Sequence, residues 1–158
     1  SKVEIKKVKK DKNQEKTGHI TSTEITVNGK GYSKGLPITS LNDDLKIKVF
    51  YKIGKTLNIP SVAVSLSNKS SQIICGVGSA NDEITGIVNK DGEGYYELEF
   101  PKIKLLKGYY EINIVLFCEK GIHVIDHAKC IEEIYVVQSG LEQGYVHLEH
   151  TWHTGCQP

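Results

Sequence analysis

Residues 45–53 read LKIKVFYKI, and this stretch decides the fold class. Its apolar side chains recur at every second position, the spacing that sends alternate side chains to opposite faces of a β-strand. The inward-facing set is Leu45, Ile47, Val49 and Tyr51. The outward-facing set is Lys46, Lys48, Phe50 and Lys52. One face therefore belongs to a core and the other is largely exposed to water.

The same alternation recurs along the chain. The further inward-facing sets are Val62, Val64 and Leu66; Tyr96, Leu98 and Phe100; Tyr110, Ile112, Ile114 and Leu116; and Ile134 with Val136. More strands are expected near residues 20–27, 72–77, 84–88, 122–126 and 145–152. Turn-forming stretches such as NGKG (28–31) and NKDGEG (89–94) separate them, and no amphipathic helix is evident. The pattern predicts an all-β fold, an antiparallel sandwich or barrel.

Length and composition indicate one folded domain. The 158 residues, 39% of them hydrophobic and 25% charged, supply one core. Residues 1–18 are crowded with lysine and read as a linker with at most one short strand, which leaves 19–158 as the domain. The sequence contains no methionine and begins at Ser1, so we expect it to be part of a longer protein.

Charge and cysteine usage narrow the partners and the compartment. The formal net charge is +1 and all 20 basic residues are lysine, which disfavours nucleic acid and membrane surfaces as partners. The four cysteines are scattered without a CxxC pair, which favours a reducing cytoplasm. No apolar run approaches the ~20 residues of a membrane span, and no signal peptide is recognisable.

Two motifs that resemble cofactor or metal sites fail on spacing. Gly54-Lys55-Thr56 matches the end of a phosphate-binding P-loop, but the required first glycine position holds Val49. ATP hydrolysis is therefore not expected. The histidines and cysteine of the HxxHxxHxxC pattern suggest zinc, yet on a strand a three-residue spacing alternates faces and separates the ligands. That pattern comprises His147, His150, His153 and Cys156. We expect no metal and no cofactor.

The sequence offers no well-supported catalytic arrangement. Glu97 and Glu99 share one strand face and are more simply explained as cross-strand partners of the lysines in 45–53. A base assembled from His123, Asp126 and His127 lacks a nucleophile in a known motif. We expect no enzyme, although a glycan hydrolase or lyase that uses Glu97, Glu99 or Glu111 stays open as an alternative.

Alternation also predicts a candidate binding face. If the core takes the inward-facing sets, a group of polar and aromatic side chains points outward from the strands at 62–67, 109–117 and 131–137. The group is Ser65, Ser67, Glu111, Asn113 and Tyr135. Hydroxyls of a sugar need hydrogen-bond partners and its C–H faces stack on aromatic rings, so the face suits carbohydrate; it suits a dimer contact equally.

The last third of the chain carries a family resemblance. Residues 100–117 read FPKIKLLKGYYEINIVLF and are followed by Asp126, a strand around Ile134 and Val136, and GYVHLEHTW at 144–152. In this order the chain, from about Ile20 to Trp152, resembles the C-terminal carbohydrate-binding domain of the ATP-binding subunit of O-antigen ABC transporters, the Wzt type. The segment SLSNKSSQIICGVGSAND (65–82) departs from the family pattern, and no sugar-binding residue is carried over by motif.

The resemblance implies an immunoglobulin-like or jelly-roll sandwich that dimerises through its C-terminal strand. We assign Val146, Leu148 and Trp152 to that contact. The implied ligand is an O-antigen polysaccharide, recognised in some family members by a cap at its nonreducing end. The implied partners are an N-terminal ATPase domain and a transmembrane subunit, at the cytoplasmic face of the inner membrane. A purely structural dimerisation domain remains a further alternative.

Overall fold

The computed structural model describes Val3, Lys6, Lys7 and residues 18–157, which form ten β-strands and no helix. The strands are β1 (Lys6–Lys7), β2 (Gly18–Val27), β3 (Lys30–Gly31), β4 (Ile38–Thr39), β5 (Leu45–Ile53), β6 (Ser61–Ser67), β7 (Ile73–Gly78), β8 (Glu93–Phe100), β9 (Gly108–Phe117) and β10 (Val124–Val137). The linker expected over 1–18 falls mostly outside these described residues. Within them, no helix has the length and apolarity that a membrane crossing requires.

Two five-stranded sheets enclose one core. The first sheet has the order β1-β2-β5-β8, with β3 also paired to β2, and the second has the order β4-β10-β9-β6-β7. Pairing is antiparallel except between β4 and β10, which run parallel. The predicted all-β sandwich is confirmed.

The alternating side chains fill the space between the sheets as the sequence predicts. Inward positions of β5, β6, β9 and β10 are buried in one hydrophobic cluster. Two buried tyrosines place a polar tip in this core, and each finds an acceptor: Tyr51 donates to the Ile87 carbonyl at 3.1 Å and Tyr110 to the Leu106 carbonyl at 2.8 Å. Burial, with a smaller effect of Tyr96, raises the pKa of Tyr51 to about 12, so this hydroxyl stays a donor.

The strand expected at 84–88 is absent from the structure, and tyrosine hydroxyls explain why. The N–H of Gly86 donates to the Tyr96 hydroxyl at 2.7 Å, and the Ile87 carbonyl accepts from Tyr51. Side chains of the first sheet thus satisfy backbone groups that a strand would pair with a neighbour. A Cβ on Gly86 would lie 2.6 Å from the Tyr96 oxygen, so glycine permits this close approach.

Two other strand predictions need correction. The strands expected at 122–126 and 131–137 are one strand, β10, which stays paired to β9 across a bulge between Ala128 and Glu132. The strand expected at 145–152 is reduced to a single bridge between Val146 and Leu105. The N–H of His147 donates to the Lys104 carbonyl at 2.8 Å, and beyond it the chain to residue 157 has no regular structure.

A buried carboxylate organises the turns at one end of the sandwich. Asp43 accepts the N–H of Thr39 at 2.7 Å and the side-chain amides of Asn28 and Asn42, each at 2.9 Å. Burial alone would raise the pKa of Asp43, but these hydrogen bonds outweigh it and the pKa is lowered. The carboxylate therefore ties the β2–β3 turn to β4 and to the start of β5.

We predict that Asp43→Asn lowers the free energy of unfolding by about 1–3 kcal/mol at neutral pH, because donors then face an amide instead of a carboxylate. A folded-state pKa below the unfolded one stabilises the protein above the unfolded value of about 3.9, and this contribution is lost as the pH falls through the folded value. Urea denaturation should therefore show that the difference in unfolding free energy between wild type and variant shrinks as the pH falls. Asp91→Asn, at an exposed turn position, is the control; a gap that is the same at every pH would contradict this role of Asp43.

Candidate ligand-binding face

The outward face of the second sheet brings the predicted site residues together. Strands β6, β9 and β10 are neighbours, with Ser65 opposite Asn113, Ser67 opposite Glu111, and Glu133 on the other side of Glu111. Tyr135 lies opposite Tyr109, at the end of the face nearest the start of β9. The five predicted side chains thus occupy one surface, although they do not all lie at one point on it.

Asn113 is held by the fold itself. Its Nδ2 donates to the Ser67 hydroxyl at 3.2 Å, and its Oδ1 accepts the N–H of Cys130 at 2.8 Å. Ser67 is itself buried. These two side chains therefore support the surface more than they offer free groups to a ligand, a distinction that alternation alone does not make.

The β10 bulge gives Asn113 its partner. Residues 129–131 have no opposite residue on β9, and Cys130 adopts a φ of 47°, the left-handed region that non-glycine residues seldom occupy. Burial and the nearby charges of Glu111 and Glu133 raise the pKa of the Cys130 thiol. Cys130 thus lies close to two carboxylates of the face, Glu111 and Glu133.

Two stacked rings form what we call the tyrosine platform, Tyr109 and Tyr135. Their centroids are 4.7 Å apart and their planes differ by 22°. Lys69 lies with its Nζ 4.6 Å from the Tyr109 centroid and 3.3 Å from a carboxylate oxygen of Glu133. A buried side chain helps to position the platform, since the N–H of Tyr135 donates to the Tyr32 hydroxyl at 3.3 Å. Tyr109 is 49% exposed, so the aromatic surface reaches solvent.

A shallow groove of about 370 Å³ lies on the same face, toward the opposite end of β9. Its apolar side is formed by Ile73, Val115 and Val124, from three different strands. Its polar side includes Ser71, Glu111, His127 and Lys129. We call this feature the groove. The candidate site therefore has two parts, an aromatic one and a mixed polar and apolar one, with Glu111 between them.

Sequence reasoning missed several residues of this face. Tyr109 lies two residues before Glu111 on β9, so the alternation of this strand could have placed it on the same face. Lys69 and Ile73 reach the face through the β6–β7 hairpin, and Val124 reaches it through a second register shift of β10, between Val124 and Asp126. Neither the hairpin register nor the bulge has a signature in the local sequence.

The outer face of the first sheet is an ion-pair surface, as predicted. Lys46 lies 3.3 Å from Glu97 and Lys52 lies 3.4 Å from Glu93. This face also carries an aromatic pair, Phe50 and Tyr95, and the Nζ of Lys48 lies 4.1 Å from the Tyr95 centroid. A lysine thus lies over one ring of this pair, as Lys69 does over the Tyr109 ring of the tyrosine platform.

The candidate catalytic groups do not converge. Glu97 and Glu99 lie on the first sheet and Glu111 on the outer face of the second, so the core separates them. Asp126 is buried and accepts the N–H of Ile20 at 2.8 Å, whereas His127 is exposed on the outer face. Carboxylates on opposite sides of a sandwich cannot act on one glycosidic bond.

The histidines of the HxxHxxHxxC pattern do not lie on a strand, contrary to the prediction. Because residues 147–153 are not a strand, strand alternation does not apply, and the His147 and His150 rings lie 5.8 Å apart. The Nδ1 of His147 lies 2.7 Å from Glu142, and that of His150 lies 2.7 Å from the Leu148 carbonyl. No group of three metal-binding side chains occurs among the described residues.

The C-terminal segment leaves its largest apolar side chains in solvent. Trp152 is 86% exposed and Leu148 72%, while Val146 borders an apolar depression beside Leu105. The Tyr145 ring packs edge-on against Tyr110, with centroids 6.5 Å apart. The segment is thus attached to its own domain through residues 145–147 and through an ion pair of Glu149 with Lys104 at 2.6 Å.

Comparison with solved structures shows which kind of sandwich this is. The fold is similar to the C-terminal domain of Wzt, with a TM-score of 0.74 and 12% sequence identity over 89% of this chain and 86% of that one. The chain is therefore an all-β sandwich domain with the fold of the Wzt C-terminal domain. The resemblance drawn from the sequence is confirmed at the level of fold.

Weaker likenesses involve parts of larger proteins. A putative β-galactosidase from Bacteroides fragilis aligns with a TM-score of 0.51 and 14% identity, covering 75% of this chain and 17% of that chain. A Bifidobacterium dentium β-glucuronidase complexed with coumarin-3-O-glucuronide aligns with a TM-score of 0.47 and 17% identity, covering 77% of this chain and 18% of that chain. No family model matches the chain, and no curated protein matches it either.

Proposed function

We propose that this domain binds a polysaccharide on the outward face of β6, β9 and β10, without cleaving it. The observation that carries the proposal is the tyrosine platform beside the groove on one continuous sheet face. Aromatic rings stack on the C–H faces of sugars, and Glu111 and Ser71 offer acceptors to sugar hydroxyls. An extended polymer can lie across an open face that has no closed pocket to enter.

The proposed ligand is an O-antigen polysaccharide awaiting export. Two observations support it, the sequence resemblance over 100–117 and 144–152 and the similarity to the fold of the Wzt C-terminal domain. On this proposal the domain works beside an ATP-binding domain and the transmembrane subunit of an ABC transporter. Its place is the cytoplasmic face of the inner membrane, where it delivers the glycan to the transporter.

A binding role agrees better with the geometry than hydrolysis does. Retaining and inverting glycosidases need two carboxyl groups on either side of one bond, roughly 5–10 Å apart. Glu111 lies on the opposite side of the sandwich from Glu97 and Glu99, and its cross-strand neighbour Glu133 forms an ion pair with Lys69. The partial likeness to a putative β-galactosidase concerns 17% of that chain.

We predict that Tyr135→Ala weakens polysaccharide binding by about 1–2 kcal/mol, roughly tenfold or more, with the fold intact. The reason is the loss of half the platform, which also leaves the Tyr109 ring without its stacking partner. Isothermal titration calorimetry with purified O-polysaccharides measures the change, and circular dichroism verifies folding.

The matched control is Tyr95→Ala, which removes a ring from the corresponding aromatic pair on the other sheet. Its affinity should equal that of wild type. Lys48→Ala provides a second control on the same surface. If Tyr95→Ala or Lys48→Ala loses binding while Tyr135→Ala keeps it, the site belongs on the first sheet and the proposal is wrong.

We further propose a homodimer formed through the C-terminal segment. Val146, Leu148 and Trp152 are the predicted contact residues, and the latter two are among the most exposed apolar side chains of the described chain. Exposed apolar side chains gain free energy when a partner covers them, by about 25 cal/mol for each Å² buried. The exposed apolar depression beside Leu105 offers a place for such a side chain.

Truncation after His147 tests the dimer while keeping the hydrogen bonds from residues 145 and 147 to residues 106 and 104. We predict that the truncated chain, and Trp152→Ala to a lesser degree, sediments as a monomer in analytical ultracentrifugation. Leu141→Ala, which alters an exposed leucine in the preceding loop, should leave the dimer unchanged. A truncated chain that remains a soluble dimer would rule out this contact.

A further inference from the structure

We infer that the groove selects a neutral sugar residue with a methyl group in place of a hydroxymethyl group, a 6-deoxyhexose. This inference rests on the proposed polysaccharide binding and specifies its chemistry. It comes from the uneven lining of the groove, which is apolar along one side and polar along the other, where Glu111 and Lys129 carry opposite charges.

The apolar side consists of stiff, branched side chains that solvent reaches. Ile73 is 64% exposed and Val124 is 58% exposed, with Val115 between them on β9. β-branched side chains are rigid about χ1, so they present a fixed surface without losing much entropy on binding. A fixed apolar surface of this size matches a methyl group or the C–H edge of a ring.

The edge strand beside the groove leaves room for a ligand near its backbone. β7 reads IICGVG and has no charged residue or proline, the usual protection of an edge strand. Gly76 and Gly78 lie opposite Ser65 and Ala63 on the outward face. A Cβ at either glycine would meet neighbours only at 3.8 Å or more, so packing does not require glycine there. Bare glycines in a strand are typical of a place where a ligand approaches the backbone.

The polar side sets the charge of the ligand. It carries one carboxylate, Glu111, and one ammonium group, Lys129, so neither charge is in excess in the groove. Ser67 and Asn113 already bond to each other, which leaves Ser71, Glu111, His127 and Lys129 as the polar side chains that can bond to the ligand. A carboxylate accepts hydrogen bonds from hydroxyls and an ammonium group donates to them, so the favoured residue is neutral and rich in hydroxyls.

The groove has room for one or two sugar rings. Its volume of about 370 Å³ lies near the lower end of ligand sites. The platform at Tyr109 and the groove at Val115 are six residues apart on β9, or ~20 Å at the usual rise of a strand. The platform therefore holds a neighbouring part of the same polymer, and selectivity for the substituent belongs to the groove.

A matched pair of oligosaccharides tests the inference on the intact chain. The two have the same linkage and configuration, one built of mannose and the other of 6-deoxymannose. The deoxy oligosaccharide should bind about tenfold more tightly, because a hydroxymethyl group against the apolar side leaves its hydroxyl without a partner. Calorimetry provides both affinities.

Variants assign the preference to the groove. Val124→Thr nearly preserves shape while adding a hydroxyl, and Ile73→Thr shortens and polarises the second wall. The double variant should bring the two affinities within about twofold of each other. Ile87→Thr, at an exposed isoleucine in the loop between β7 and β8, should keep the tenfold preference.

The outcomes separate this inference from the proposed function. Equal affinity of wild type for both oligosaccharides, or tighter binding of mannose or of an N-acetylhexosamine polymer, overturns the inference and leaves polysaccharide binding intact. A preference that survives the double variant also overturns it. Failure of every glycan to bind the folded protein overturns the proposed function together with the inference.

Discussion

The two-residue period of β9 is the constraint on which both the core and the candidate site depend. Tyr110, Ile112, Ile114 and Leu116 are almost completely buried, and β9 is paired on both sides, to β10 and to β6. A slip of one residue would move this whole set to the solvent. The register is thereby fixed, and with it the outward order of Tyr109, Glu111, Asn113 and Val115. Packing energy in the core thus sets the geometry of a surface that contributes little to stability.

A bulge in β10 interrupts the regular pairing of this surface. Residues 129–131 are extra to the ladder, and Asn113 and Ser67 form the hydrogen-bonded support that holds them. On the inner side of the bulge, Glu132 is buried and forms an ion pair with Lys6. His127 before the bulge and Glu133 and Tyr135 after it all lie on the outer face, because the bulge adds two residues and so preserves the alternation.

The sequence predicted the class of fold and which residues of each long strand face the core. It could do so because burial of one face imposes a two-residue period on the local sequence. It was also sufficient to place Ser65, Glu111 and Tyr135 on one surface. It failed where other contacts replace strand pairing. Tyr51 and Tyr96 satisfy the backbone at 86–87, and the segment after His147 pairs with no strand among the described residues. Stacking of Tyr109 on Tyr135 and the use of Asn113 inside the fold depend on cross-strand register, which the alternation does not specify.

The central claim is that polysaccharide lies on the outward face of the second sheet, and amide chemical-shift mapping by NMR tests it most directly. Titration of an O-polysaccharide fragment into isotope-labelled protein should perturb the amides of residues 109–117, 124–127 and 133–137, together with the side-chain amide of Asn113. Residues 45–53 and 93–100 on the first sheet should stay unchanged. Perturbations confined to the first sheet, or spread evenly over both sheets under saturating binding, would contradict the account.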